Sequence, residues 1–321
     1  MSKYYDIFNG DADGICALHQ LRLAQPRHSE LITGVKRDIQ LLGRAELLAA
    51  QAGDEITVFD ISMKSNAAAL AKLLGRGVTC RYFDHHAAGM IPVHANLNAH
   101  IDTAANLCTS LLVDRHLSGA HRIWAVVAAF GDNLVAPAIQ AAQPLELDHT
   151  DLARLHELGD CLNYNAYGET IDDLHYPPDD LYQTLSPYAD PREFMIEEPV
   201  FDVLKEALRE DFERAEEIKP EFATDNAALY VLPDAAWSRR VNGLFGNRLA
   251  QSYPRRAHAV LVSKAGGYTV SVRAPVSHPA GADELCARFD SGGGRKGAAG
   301  INLLPPSRLA AFTDEFRTVY R

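Results

Sequence analysis

Hydrophobic and polar positions along the first 135 residues alternate between a strand period and a helix period. Tyr4–Phe8 reads as a strand, and Gly14–Ala24 as a helix with Ile15, Leu18 and Leu21 on one face. Leu31–Val35 predicts a second strand, Gln40–Ala50 a helix and Ile56–Phe59 a third strand. Ser65–Leu74 predicts a helix and Val78–Phe83 a fourth strand, before helices near Thr103–Leu117 and His121–Phe130. Such alternation implies βαβ units, so the expected class is α/β with an N-terminal parallel sheet flanked by helices. Residues 145–195 read as loop-rich, punctuated by Pro177, Pro178, Pro187 and Pro191. A charged helix, Pro199–Ile218, follows and stops before Pro220. From Ala227 the pattern restarts with strand Leu229–Leu232, helix Asn242–Gln251 and strands Ala259–Ser263 and Tyr268–Arg273 around the hairpin signal Ala265-Gly266-Gly267. A helix at Ala282–Phe289, a glycine run and a last strand complete it. The expected division is a first domain over 1–195, a linker helix over 196–225, and a smaller α/β domain with a mixed sheet over 226–321.

Composition narrows the class. The chain has 321 residues, 47% hydrophobic and 23% charged, an ordinary globular balance that excludes intrinsic disorder. Its longest apolar run, Ile123–Phe130, is far short of the ~20 residues a membrane span needs. The start, MSKYYDIFNGDADG, has no basic and then apolar leader. The five cysteines (Cys16, Cys80, Cys108, Cys161, Cys286) form no C-x-x-C pair, which suits reduced thiols in a cytoplasmic protein. Net charge is −11, but it is unevenly placed. Residues 1–225 carry 18 Lys/Arg against 36 Asp/Glu, and residues 226–321 carry 13 against 6. An acidic half joined to a basic, glycine-bearing half suits an enzyme that holds cations in one part and an anionic substrate in the other.

The candidate chemistry clusters at strand ends. Asp11 and Asp13 follow the first strand, Asp60 ends the third, and Asp84-His85-His86 ends the fourth. In open α/β sheets ligands bind outside the carboxyl ends of the strands, so these side chains would share one crevice. Asp132, at a Gly-Asp turn after an apolar helix, could join them. Each aspartate alone reads as a helix cap or turn residue; several converging would repel one another unless cations neutralise them. Carboxylates with imidazole suit Mn2+ or Mg2+, and a two-ion site of this kind serves in-line attack on phosphorus. Zinc-peptidase, serine-hydrolase and P-loop motifs are absent from the sequence. The stretch Asn163–Gly168 reads as turn chemistry and packing ahead of base stacking.

In order along the chain, N-G-D-A-D-G, the lone Asp60, D-H-H at 84–86, Asp132 and G-G-G-R-K-G-A-A-G-I-N resemble the DHH phosphoesterase superfamily with its DHH-associated C-terminal domain. That group includes oligoribonucleases (nanoRNases), cyclic-dinucleotide phosphodiesterases and RecJ-like exonucleases. The resemblance implies two divalent cations, Mn2+ ahead of Mg2+. Asp11 and Asp60 would hold one, and Asp13, Asp60, His85 and Asp132 the other. Asp84 would orient the site, His86 would face the substrate phosphate and donate to the leaving oxygen, and a water between the ions would be the nucleophile. Arg273, Gly292, Gly293, Gly294, Arg295 and Lys296 would grip a substrate phosphate. Two departures stand out. The family commonly has His or a further Asp just upstream of the paired aspartates, where this chain has Ile7 and Asn9; the Asn9 amide oxygen would complete the first metal site more weakly. The glycine run usually ends in His, and here ends in Arg295, which keeps a phosphate-binding fork but cannot deprotonate.

The resemblance therefore implies hydrolysis of short single-stranded oligonucleotides or dinucleotides with release of mononucleotides. The alternatives are a hydrolase of cyclic dinucleotides or other small phosphoesters or phosphoanhydrides, and a nucleotide-binding sensor with weakened catalysis. No membrane partner is expected, and a homodimer is left open.

Overall fold

A computed structural model describes residues 2–321. The chain divides into two compact units, one ending at Lys205 and the other running from Glu206 to Arg321. In the first unit β1 (Tyr4–Phe8), α1 (Ala12–Ala24), β2 (Glu30–Ile32), β3 (Glu55–Phe59), α2 (Met63–Gly75), β4 (Thr79–Asp84) and β5 (Leu97–Ile101) are followed by helices only. These are α3 (Thr109–His116), α4 (Arg122–Gly131), α5 (Val135–Ala142), α6 (His149–Asn165), α7 (Pro178–Leu185) and α8 (Pro191–Glu197), and then α9 (Pro199–Glu216), within which the boundary between the units falls.

The five strands form an all-parallel sheet in the order β2-β1-β3-β4-β5. One face is covered by α2, whose Leu70, Leu73 and Leu74 pack on Ile7, Val58 and Tyr82. The other carries α1, which is buried over Ala12–Leu21 because α3 and α4 enclose it. Chain order reverses between β1 and β3, so the carboxyl ends of these neighbours flank the topological switch point.

In the second unit β6 (Phe222–Ala223), β7 (Ala227–Leu232), α10 (Ala236–Ser252), β8 (Ala257–Lys264), β9 (Gly267–Arg273), α11 (Ala282–Cys286), β10 (Gly292–Arg295), β11 (Ala298–Leu304) and α12 (Leu309–Val319) build a mixed sheet. Its order is β10-β11-β9-β8-β7-β6, with β7–β8 parallel and the other pairs antiparallel. The α/β class with one parallel and one mixed sheet is as the pattern predicts. No described helix is long and apolar enough to cross a membrane.

Three local expectations differ. Gln40–Ala50 is two short 3-10 turns, not an α-helix. Buried Asn66 captures its backbone, accepting from the Leu42 N–H and donating to the Ile39 carbonyl. β5 was not expected; it pairs only with β4 and is mostly half-buried, so its pattern is weak. Residues 145–195, read as loop-rich apart from a helix carrying His149 and His156, hold α6 over that helix and also α7 and α8, because Pro178 and Pro191 sit in the first turns of those two helices, where the missing N–H costs nothing.

Candidate metal centre

The loop after β1 is shaped by its glycines. A Cβ on Gly14 would lie 2.1 Å from the Asn9 carbonyl oxygen, and one on Gly10 would lie 2.2 Å from that of Gly34. α1 can therefore start tight against the strand end, and the chain following β2 can press onto the same loop. Asp11 caps α1, its Oδ1 accepting from the Asp13 and Gly14 amides at 3.1 and 3.0 Å. Asp13, one turn in, is held by the start of α3: its Oδ2 and Oδ1 accept from the Thr109 and Ser110 amides, both at 2.7 Å. A helix N-terminus thus fixes an anion.

Asp60 leaves β3 with φ 58°, a left-handed conformation that aspartate tolerates better than most residues. Its amide donates to the Phe83 carbonyl, and Thr109 Oγ1 donates to its Oδ1 at 3.0 Å. Asp132 caps the C-terminus of α4, where Gly131 and Gly159 let α4 and α6 touch through backbone: a Cβ on Gly159 would lie 2.4 Å from the Val127 oxygen. His85 Nδ1 lies 2.9 Å from the Leu107 carbonyl, to which it can only donate, and Nε2 faces Asp60 Oδ1 at 3.5 Å and Asp132 Oδ2 at 3.8 Å. His86 Nδ1 is 2.7 Å from Asp84 Oδ1.

Two overlapping sets of ligand atoms result, Asp13/His85/Asp132 and Asp60/His85/His86, each with its atoms within 4.8 Å of one another. A hard-oxygen and imidazole set of this size fits a divalent cation of the Mn2+ or Mg2+ kind. The charge balance fits as well. Burial, then the charges of Asp13, Asp11, Asp132 and Asp84, push the Asp60 carboxyl well above the usual carboxylate range. Burial also raises Asp132, with Lys36 opposing. Asp84 Oδ2 and Asn9 Oδ1 are buried without a hydrogen-bond partner among the described residues.

Lys36, which sequence reasoning passed over, enters this cluster from the loop after β2. Its Nζ lies 2.6 Å from Asp11 Oδ2, 2.8 Å from Asn163 Oδ1 and 3.6 Å from Asp132 Oδ1. Burial disfavours the charge on either member, yet their mutual attraction dominates, so Asp11 titrates below and Lys36 well above its ordinary value. His86 is raised too, burial being outweighed by its Asp84 hydrogen bond and the nearby carboxylates. Thr109, Ser110 and Asn163 were likewise not singled out for the site. Lys36 follows a strand end as Asp11 and Asp60 do, but a single lysine there carries no signal of its own.

Asn9, Asp11, Asp13, Asp60, Asp84, His85, His86 and Asp132 thus meet at the carboxyl edge of the first sheet. The remaining candidates lie in the second unit. The Arg273 guanidinium is held by Asn247 Oδ1 at 2.6 Å, Ser271 Oγ at 2.9 Å, and the Val272 and Gly243 carbonyls. Gly292–Arg295 forms edge strand β10. Gly292 and Gly294 have packing reasons, since a Cβ would meet the Cys286 oxygen at 1.8 Å and Ala299 Cα at 2.4 Å; the space beside Gly293 is open, and Arg295 and Lys296 are exposed.

No protein-family model and no curated protein matches the sequence. Solved structures do match. A manganese-bound exonuclease RecJ aligns over 99% of this chain and 90% of its own at 16% identity, with a TM-score of 0.63. RecJ from Thermus thermophilus in complex with Mn2+ also aligns at 16% identity and TM-score 0.63; 98% of this chain spans 51% of that one, about half its length. A pGpG-specific phosphodiesterase from Vibrio cholerae aligns over 98% and 99% of the two chains at 14% identity, with a TM-score of 0.55. The chain has the fold of these proteins, as the sequence resemblance anticipates.

Proposed function

We propose that the chain is a metal-dependent phosphodiesterase that hydrolyses short oligonucleotides to mononucleotides. The observation that carries this reading is the meeting of Asp13, Asp60, His85 and Asp132 ligand atoms at the β1/β3 switch point, with His86 beside them. A divalent cation held there would polarise a phosphoryl oxygen and lower the pKa of a water. Asp13, braced by two amides, and Asp132, at the end of α4, would hold such an ion with His85 Nε2; His85 is the residue the two ligand sets share. Asp84 fixes the His86 ring through Nδ1. His86, with 44% of its side chain exposed, keeps Nε2–H for the leaving oxygen as the P–O bond breaks. In this reading residues 1–195 carry the metal chemistry, 196–225 link, and 226–321 bind substrate, with Arg273, Gly292–Gly294, Arg295 and Lys296 on the terminal phosphate. Mn2+ is the expected ion.

A second reading, a hydrolase of linear dinucleotides alone, is favoured by the end-to-end alignment with the pGpG-specific enzyme. One assay separates them. The purified chain with Mn2+ is given 5′-phosphorylated RNA and DNA of two to ten nucleotides, pGpG and cyclic dinucleotides. Cleavage across short lengths supports the first reading, and cleavage confined to dinucleotides the second. No phosphodiester cleaved with any divalent ion refutes both.

A further inference from the structure

Resting on that reading, we infer that Lys36 occupies the place of the first of the two expected cations, so that the centre works with one divalent ion and one built-in ammonium.

Asp11 was the expected anchor of that first ion, and where the ion would sit its carboxylate meets an ammonium. Oδ1 serves two backbone amides and Oδ2 pairs with Lys36 Nζ at 2.6 Å. The ammonium has three donors, and three oxygens surround it: Asp11 and Asn163 at hydrogen-bond distance and Asp132 at 3.6 Å. The Tyr167 ring lies 5.4 Å away, within cation–π range.

The position of Lys36 is built into the backbone. Its amide donates to the Ala166 carbonyl at 2.9 Å, and the Asn9 side-chain amide donates to its carbonyl at 3.3 Å. The close approach of Gly10 to Gly34 brings the two loops together. Asn9 holds the lysine's main chain through Nδ2, while its Oδ1 has no hydrogen-bond partner among the described residues, and Ile7 is part of the core. The departure at Ile7 and Asn9 then has one cause. A fixed single charge needs fewer anionic partners than a divalent ion, so neither an imidazole nor a carboxylate is required upstream of Asp11. What remains, Asp13, His85 and Asp132 with Asp60 alongside, offers three ligand atoms to a single ion. An ammonium can neutralise Asp11 and donate to a phosphoryl oxygen, but it has no vacant coordination position, so water activation is left to the single ion.

The test counts ions on the full-length protein with Mn2+ as the probe, by elemental analysis after equilibrium dialysis and by electron paramagnetic resonance. Wild type is expected to bind one Mn2+ per chain with an uncoupled six-line spectrum. Lys36→Met and Lys36→Gln are expected to bind two, with an exchange-coupled spectrum, and Lys36→Arg to stay at one. Lys36→Gln keeps a hydrogen-bonding head group should the methionine variant fold poorly, and the wild-type count needs no variant. Two coupled ions in wild type overturn this inference while leaving the phosphodiesterase reading intact. So does a single ion of unchanged affinity in the Met and Gln variants, because the ammonium would then exclude nothing. No bound Mn2+ in any of the proteins brings down the metal reading itself.

Discussion

Thr109 offers the sharpest probe of how the centre is assembled. It is fully buried at the first position of α3, and its hydroxyl donates to Asp60 Oδ1 at 3.0 Å while its amide holds Asp13. Thr109→Val leaves the backbone contact and most of the side-chain volume in place and removes only the hydroxyl bond. Hydrogen bonds to charged groups contribute about 1.5–3 kcal/mol. At about 1.4 kcal/mol per decade, that predicts Mn2+ binding weaker by roughly 10- to 150-fold. The same range follows independently from the 10–100-fold effects of residues that orient metal ligands. Isothermal titration of Mn2+ into the folded variant reads this directly. Turnover should recover toward wild type as Mn2+ is raised to saturation, because Thr109 positions a ligand and touches no substrate. Affinity within about twofold of wild type would show that Asp60 is oriented by its backbone alone, and the reasoning would fail.

Asp60→Asn suits the left-handed backbone at this position better than alanine does; it should lower kcat by about three orders of magnitude, the several kcal/mol expected when a carboxylate beside the ion is lost, and near-normal turnover would refute the assignment. Gly159→Ala forces a Cβ to 2.4 Å from the Val127 oxygen, so α6 must move off α4. Urea unfolding should show about 1–3 kcal/mol lost, and Mn2+ affinity should fall with it because Asp132 caps α4. His19 is 1% exposed, with Nε2 2.8 Å from the Tyr188 carbonyl, and burial pushes its pKa down to about 4 against the bond's opposing pull. The unfolded chain therefore takes up a proton near pH 6.5 that the folded one refuses, so this stability is complete above 6.5 and drains as pH falls toward 4. Between pH 7 and 5 the loss is about 2 kcal/mol. His258 is also lowered to about 4, so the readout is the part of the pH slope in urea midpoints that His19→Gln removes; no flattening in that variant would count against the argument.

How much was legible in the sequence depended on what sets each element. The helix α2 follows from local period, because it buries one stripe of side chains, and the strands β1, β3 and β4 follow from short runs buried on both faces. α3 does not. The sequence pattern places a helix from Thr103, whereas the structure begins it at Thr109. Its first amides are those that bind the Asp13 carboxylate, 96 residues away in sequence. A helix start set by a distant carboxylate leaves no trace in hydrophobic spacing. The same partner explains why Asp13, which by itself reads as an ordinary first-turn acid, belongs to the centre.

The acidic members of the site were legible because several like charges at strand ends must be explained together, while one lysine after a strand needs no explanation. Lys36 acquires meaning only when the order β2-β1-β3 puts its loop beside Asp11, and when α6 supplies Asn163 from 127 residues away in sequence. Unlike charges that meet are also harder to see than like charges that meet. A surplus of carboxylates shows in the sequence as an imbalance awaiting a cation, whereas a paired lysine cancels part of that imbalance and hides it. For a parallel sheet of this order, every loop at the carboxyl edge should therefore be read for both signs of charge before ligands are assigned, and a lysine after the strand next to the switch point weighed as a cation already in place.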